Sequence, residues 1–183
     1  MNRRAFLLAL AATAAAPGLA LAQQMPSADA IMRRLEAPSG RNVAPRDRVD
    51  IREFKRRPDL RRMAPSIDIQ SINFAFGSAD IPRSEYGKIR EIGTALERIL
   101  SRRRSAVFLI EGHTDAVGSD ASNLALSEAR AAAMKRVLVR DFRIPPRALD
   151  TVGYGERYLL VNTQREEWRN RRVTIRRIDE FVR

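Results

Sequence analysis

The chain has 183 residues, with 34 Lys and Arg against 22 Asp and Glu for a formal charge of +12, and it contains one His, one Trp and no Cys. This length carries one ordinary domain with an extra segment and excludes a large multidomain enzyme. Without Cys there is no disulfide framework, thiol nucleophile, zinc knuckle or iron–sulfur cluster, and a lone His excludes any site built on two imidazoles. Metal chemistry would rest on carboxylates alone, and no cofactor is expected. The basic balance favours an anionic partner, whose class depends on the compartment.

The N-terminus reads Met1-Asn2-Arg3-Arg4, then an apolar run from Ala5 to Ala16, Pro17-Gly18 and the small-x-small step Ala20-Leu21-Ala22. A charged stretch, a short apolar stretch and a cleavage site in that order predict a cleavable signal peptide over residues 1–22. The run is shorter than the roughly 20 residues that cross a bilayer as a helix. No transmembrane segment is therefore expected after processing. Arg3-Arg4-Ala5-Phe6-Leu7 also resembles a twin-arginine signal, and ordinary and twin-arginine export both stay open. Export predicts a periplasmic protein, associated with the cell wall or outer membrane, and makes nucleic acid an unsuitable partner.

Residues 23–65 are polar, basic and broken by Pro26, Pro38, Pro45, Pro58 and Pro65. Such composition buries little apolar surface against its ordering entropy, which predicts a partly disordered tether. Within it, Ser27 can cap a short helix carrying Ile31, Met32 and Leu35, and Val49 to Phe54 alternates weakly. The pattern tightens at Ser66, so residues 66–183 are read as the domain. Ile67 to Phe76 reads as a strand with a bulge at Gln70-Ser71. Tyr86, Ile89, Ile92, Gly93, Leu96, Ile99 and Leu100 then form one helical stripe after Pro82 and Ser84.

Ala106 to Ile110 is a continuous apolar run, as expected of a central strand. A second helix is predicted from about Ala121 to Phe142 and is stopped by Ile144-Pro145-Pro146. A third strand follows at Asp150–Gly155, and a fourth at Arg172–Ile178. The predicted class is α+β: a two-layer βαβαβ-β domain with helices on one face of a mixed four-stranded sheet.

The informative stretch is Glu111-Gly112-His113-Thr114-Asp115-Ala116-Val117-Gly118, followed by Asn123-x-x-Leu126-Ser127-x-x-Arg130-Ala131. A glycine-flanked turn after the central strand lifts Thr114 and Asp115 off its C-terminal end. Asn123 and Arg130, about two turns apart, share a helical face beside it. Asp115 and Arg130 are thereby brought to one rim. The pair can close as a salt bridge or receive a zwitterion, with Asp115 taking an ammonium and Arg130 a carboxylate.

These residues resemble a known family, the OmpA-like C-terminal peptidoglycan-binding domains of the OmpA, Pal and MotB type. The matching blocks are Ile72-Asn73-Phe74-Ala75-Phe76 with Gly77-Ser78-Ala79, then Gly112-His113-Thr114-Asp115-x-x-Gly118, Asn123-x-x-Leu126-Ser127-x-x-Arg130-Ala131, Gly153-Tyr154-Gly155-Glu156 and Asn170-Arg171-Arg172-Val173. The resemblance implies a non-enzymatic protein that binds peptidoglycan noncovalently through the diaminopimelate of the stem peptide. Asp115 and Arg130 would hold the amino and carboxyl groups of that residue. Thr114, Phe76, Gly77 and Asn123 match positions around the same groove, and Arg171 lies in a block near it. Two departures fall in the segment before the last strand: Glu166-Glu167-Trp168-Arg169 replaces the family's Gly-Arg pattern, and Tyr158 stands where a Pro is usual.

Simpler roles are expected for several other residues. His113 is read as a strand-end residue bonded locally, and Tyr154 and Trp168 as packing against the sheet rather than stacking on sugar rings. The basic patches at 55–57, 61–62 and 102–104 are read as solvated faces. An alternative function stays open, a periplasmic adaptor whose residues 23–65 recruit another envelope protein. A hydrolase is the remaining rival, but it lacks a recognisable carboxylate pair or nucleophile elbow.

Overall fold

Ser27 opens the first helix by accepting a hydrogen bond from the Ala30 N–H (3.3 Å), and helix α1 (Ala28–Leu35) follows with Ile31 and Leu35 fully buried. The computed structural model describes residues 25–40, 43–70, 72, 74 and 78–183. The predicted export segment, Phe76 and Gly77 lie outside the described residues. Asp50 caps helix α2 (Ile51–Arg56) through the Glu53 N–H (2.9 Å), so capping prevails over the weak alternation from Val49 to Phe54. Pro58 starts helix α3 (Pro58–Met63), where a missing N–H costs nothing. The remaining elements are β1 (Ser66–Ile69), α4 (Tyr86–Arg102), β2 (Phe108–His113), α5 (Asp120–Phe142), β3 (Leu149–Gly153) and β4 (Arg172–Arg177).

The sheet order is β1-β4-β2-β3, with β2 and β3 parallel and the other two pairings antiparallel. The α+β class and the mixed four-stranded sheet agree with the sequence reading. β1 is shorter than expected: it ends at Ile69, while Ile72 is buried further on and Phe74 packs against the core. β2 starts within the apolar run of 106–110 and continues past it through Glu111 and Gly112 to His113. Helix α5 ends on Arg143 in the left-handed conformation (φ 53°), with the Ile144 N–H returned to the Leu138 carbonyl (3.1 Å).

One face of the sheet packs Phe108, Ile110, Val173 and Ile175 against the stripes of α4 and α5. Helix α1 joins this same core, beside Ile89, Ile92, Leu96 and Ile99. The opposite face is covered by α2 and α3, where Phe54 and Leu60 meet Leu109, Ile178 and Phe181. The segment read as a tether therefore contains three helices, and their apolar side chains lie on both faces of the sheet. Its few apolar residues sit at helical spacing, which composition averaged over the segment does not reveal. A parallel bridge between Val49 and Val182 ties the segment to the C-terminus.

The α2–α3 side of the sheet is polar at its centre. Glu111 points to this face, fully buried, and receives Arg61 from α3 (2.7 and 3.2 Å) and Arg176 from β4 (2.6 and 3.3 Å). Arg176 also donates to the carbonyls of Arg61 and Ala64 at the end of α3. The Arg61 guanidinium lies over the rings of Tyr154 and Tyr158, at 3.9 and 4.3 Å from their centroids. The unusual Tyr158 thus supplies a face for a cation from the N-terminal segment. Arg61 belongs to a buried network, not to the solvated face expected of it. His113 Nε2 is 3.6 Å from Glu111 Oε2, so the strand-end position predicted for it is found, facing this network.

Burial opposes ionisation of Glu111, but the neighbouring His113 and the charges and hydrogen bonds of Arg176 and Arg61 outweigh it and hold the carboxyl far below its ordinary range. Burial pushes His113 below its ordinary 6.5, against the pull of Glu111. The unfolded chain takes up a proton at His113 below pH 6.5 that the folded chain refuses, so stability falls as pH drops through that window. The depressed Glu111 carboxyl contributes stability above 4.5, which is lost as pH falls further toward its folded value. Urea midpoints should therefore fall in two stages on acidification, and His113→Asn should flatten the stage that begins below pH 6.5. Parallel curves for the two proteins would contradict this assignment.

Arg61→Ala should destabilise the fold by about 3 kcal/mol, the low end for breaking a buried pair, because Arg176 still faces Glu111. The exposed Arg57, paired with Asp59 and Glu53, is the control, and Arg57→Ala should leave the urea midpoint in place.

Candidate functional site

The site is built at one end of the sheet by strand register. His113 at the end of β2 pairs with Arg172 at the start of β4, and Gly112 pairs with Gly153 at the end of β3. Asp115, just beyond β2, and Arg171, just before β4, are therefore forced to the same edge. Helix α5 starts beside them under a Ser119 cap that accepts from the Ser122 N–H (3.3 Å).

Close contact between α5 and the strand ends fixes this geometry. A Cβ on Gly112 would lie 2.1 Å from the Ser127 carbonyl oxygen, and one on Gly153 would lie 2.4 Å from the Glu128 backbone nitrogen. Only glycine admits the helix backbone at those two points. Ser127 Oγ donates to the Leu124 carbonyl (2.8 Å) and accepts from the Gly155 N–H (2.8 Å), so a small hydroxyl residue stitches helix to turn. These contacts account for glycine and serine at the three positions.

Asp115 is largely buried and its Oδ2 accepts from Arg171 Nη1 at 2.7 Å, while Oδ1 is 3.4 Å from the Val117 N–H. The Asp115 to Arg130 salt bridge considered from sequence is not formed. Arg130 donates from Nε to the Ser78 carbonyl (3.3 Å), and its guanidinium lies 4.9 Å from the Phe74 ring centroid. No carboxylate among the described residues lies within ion-pair distance of Arg130. Burial, and then the repulsion of Arg171, push its guanidinium below the ordinary range while Asp115 opposes the shift. Arg130 nevertheless remains charged at neutral pH. One carboxylate thus faces two cations, and an added anion would relieve the imbalance.

The other predicted residues take different positions. Thr114 is buried, with its N–H bonded to the Gly155 carbonyl (3.0 Å) and no hydrogen-bond partner for Oγ1 among the described residues. Asn123 is also buried and donates to the Val117 carbonyl (3.2 Å) and to Glu156 Oε2 (2.6 Å). It organises the loop that carries Asp115 by joining it to the turn after β3. Phe76 and Gly77 remain outside the described residues. Sequence reasoning missed that Arg171 closes on Asp115, a pairing 56 positions apart that no local spacing signals.

Two surface hollows lie elsewhere. One of about 580 Å³ is lined by Arg83, Tyr86, Arg140 and Asp141, and one of about 210 Å³ by residues that include Leu124, Tyr154 and Glu156. One carboxylate between two cations distinguishes the Asp115 site. No cluster of His, Cys, Asp or Glu suited to a metal occurs among the described residues. No helix among them is long and apolar enough to cross a membrane.

Comparison with known proteins decides the family. Residues 73–173 match the model of the OmpA family. The chain belongs to the OmpA family. It is similar to outer membrane porin F of Pseudomonas aeruginosa, 34% identical over 104 residues that make up 56% of this chain and 29% of the relative. It is also similar to the peptidoglycan-associated lipoprotein of Pseudomonas aeruginosa, 39% identical over 71 residues, covering 38% of this chain and 42% of that protein. The chain thus spans less than half the length of these curated relatives. The crystal structure of the periplasmic domain of Helicobacter pylori MotB shares the fold, with a TM-score of 0.51 at 19% identity over 61% of this chain and 74% of that one. Arg61 and the helices of residues 25–64 lie outside the family match.

Proposed function

We propose that this OmpA-family domain binds peptidoglycan noncovalently, with the diaminopimelate of a stem peptide at the rim formed by Asp115, Arg130 and Arg171. The observation that carries this reading is Arg130, a partly buried cation with no carboxylate partner among the described residues, beside an Asp115 carboxylate already occupied by Arg171. A ligand ammonium would take Asp115 in place of Arg171. The ligand carboxylate would lie against Arg130 and the released Arg171, through charge-assisted hydrogen bonds. Thr114 and Asn123 shape the loop, and the exposed basic surface favours approach to an anionic wall in a salt-dependent way. The name of the peptidoglycan-associated relative and the family match support the same ligand class.

The accompanying reading is a non-enzymatic protein exported by residues 1–22 and held at the wall in the periplasm. Because α1 to α3 pack onto the sheet, recruitment of another envelope protein would use their outer faces and not a free tether.

Titration calorimetry with a soluble diaminopimelate-containing tripeptide tests the site. Asp115→Asn and Arg130→Ala should each weaken binding about ten- to a hundredfold, corresponding to roughly 1.5–3 kcal/mol for a charged hydrogen bond. Circular dichroism should show both variants folded. Wild-type affinity in either folded variant would contradict the reading.

A further inference from the structure

Three large apolar side chains stand out as exposed among the described residues: Val117 (46%), Leu160 (50%) and Trp168 (51%). All three are in the loops at the site end of the sheet. Val117 follows Asp115 by two positions, and the other two lie between β3 and β4. The expected packing against the sheet holds for Tyr154, which is buried, and fails for Trp168.

Trp168 is tied directly to the proposed ligand rim. The Arg171 N–H donates to the Trp168 carbonyl (3.1 Å), closing a turn whose last residue is the partner of Asp115. Such a turn keeps its first and last Cα atoms within about 7 Å. The turn is also held from behind. Asn170 is fully buried, its Oδ1 accepts from the Leu160 and Val161 N–H groups (2.8 and 3.0 Å), and its Nδ2 donates to the Val161 carbonyl (2.8 Å). Glu167 receives the Arg169 side chain at 2.9 Å from both Nε and Nη2, as well as the Arg169 N–H. An exposed indole on a braced turn loses little freedom on binding, as a preorganised contact should.

We infer that Trp168 is a sugar-stacking subsite that receives a hexosamine ring of the glycan strand while Asp115 and Arg130 hold the stem peptide. This rests on the peptidoglycan reading above. The chemistry of the ligand explains why a glycan is the occupant. The zwitterion assigned to Asp115 and Arg130 is the side-chain end of diaminopimelate, the third residue of a stem peptide joined to a muramic acid. Two intervening residues and that side chain separate it from the sugar by up to about 15 Å when extended, a reach that includes the loops at the same end of the sheet, where Trp168 stands one turn from Arg171. A flat aromatic face suits the apolar C–H face of a pyranose, whose hydroxyl and acetamido groups stay in water. The subsite would be a property of this chain's Glu166-Glu167-Trp168-Arg169 sequence, which replaces the family's Gly-Arg pattern.

Trp168 is the single Trp of the chain, so its intrinsic fluorescence reports on the subsite without a label. The probes are a disaccharide–tripeptide muropeptide containing diaminopimelate and the same tripeptide without sugar, each titrated into the full chain. The muropeptide should shift the emission and bind about three- to tenfold more tightly than the tripeptide, which should leave the emission unchanged. Trp168→Ala should bring muropeptide affinity down to that of the tripeptide and leave tripeptide binding intact, and Trp168→Tyr should retain part of the difference. Equal binding of the two probes by wild type would overturn the inference, as would an unchanged muropeptide affinity in Trp168→Ala, which would leave the apolar rim to a protein partner. Failure of both probes to bind wild type would instead reject the stem-peptide site, and the subsite with it.

Discussion

The structure depends on one buried carboxylate. Glu111 sits under the centre of the sheet, two positions before His113, and its two oxygens receive guanidinium groups from α3 and β4. A charge buried this deeply survives only with paired and hydrogen-bonded partners. The requirement holds α3 and β4 against β2, with Tyr154 and Tyr158 as faces for Arg61. On the opposite face the same strand is gripped at Gly112 by the backbone of α5. The end of β2 is thus clamped from both sides, and Thr114 and Asp115 emerge from it at a fixed place.

That clamp aligns the charged groups of the site through strand register and through Asn123. Arg171 occupies Asp115 and avoids leaving a largely buried carboxylate uncompensated. Arg130 has no such compensation among the described residues, which makes it the group with most to gain from an incoming carboxylate. On this account the site requires both charges of a zwitterion, and general attraction to the basic surface is not enough.

Much of this architecture is legible in the sequence because it rests on local pattern. The stripe from Ile89 to Ile99, the apolar run at 106–110 and the glycine-flanked turn at Asp115 each carry their own periodic or turn signal, and α4, β2 and the strand-end loop follow. The pairings that complete the fold carry none. Arg61 is 50 positions from Glu111, so in sequence it is one basic residue in a basic, proline-rich stretch. Residues 25–64 look like a tether for the same reason: α1 reaches the main core with Ile31 and Leu35, and α2 and α3 cover the Glu111 side with Phe54, Leu60 and Arg61, too few residues to lift a segment-wide average. Trp168 departs from its expected packing in the opposite sense: an indole is usually worth burying, yet this one is half-exposed on a turn braced by Asn170 and Glu167.

The most direct measurement of the central claim is co-sedimentation of the full chain with two kinds of purified sacculi at physiological salt: one whose stem peptides carry diaminopimelate, and one whose stem peptides carry lysine. Lysine keeps the side-chain ammonium for Asp115 but lacks the carboxylate assigned to Arg130 and Arg171. The account predicts that the protein pellets with diaminopimelate sacculi and stays in solution with lysine sacculi. Equal pelleting with both, released by added salt, would show that surface charge alone holds the protein to the wall and would contradict a zwitterion site.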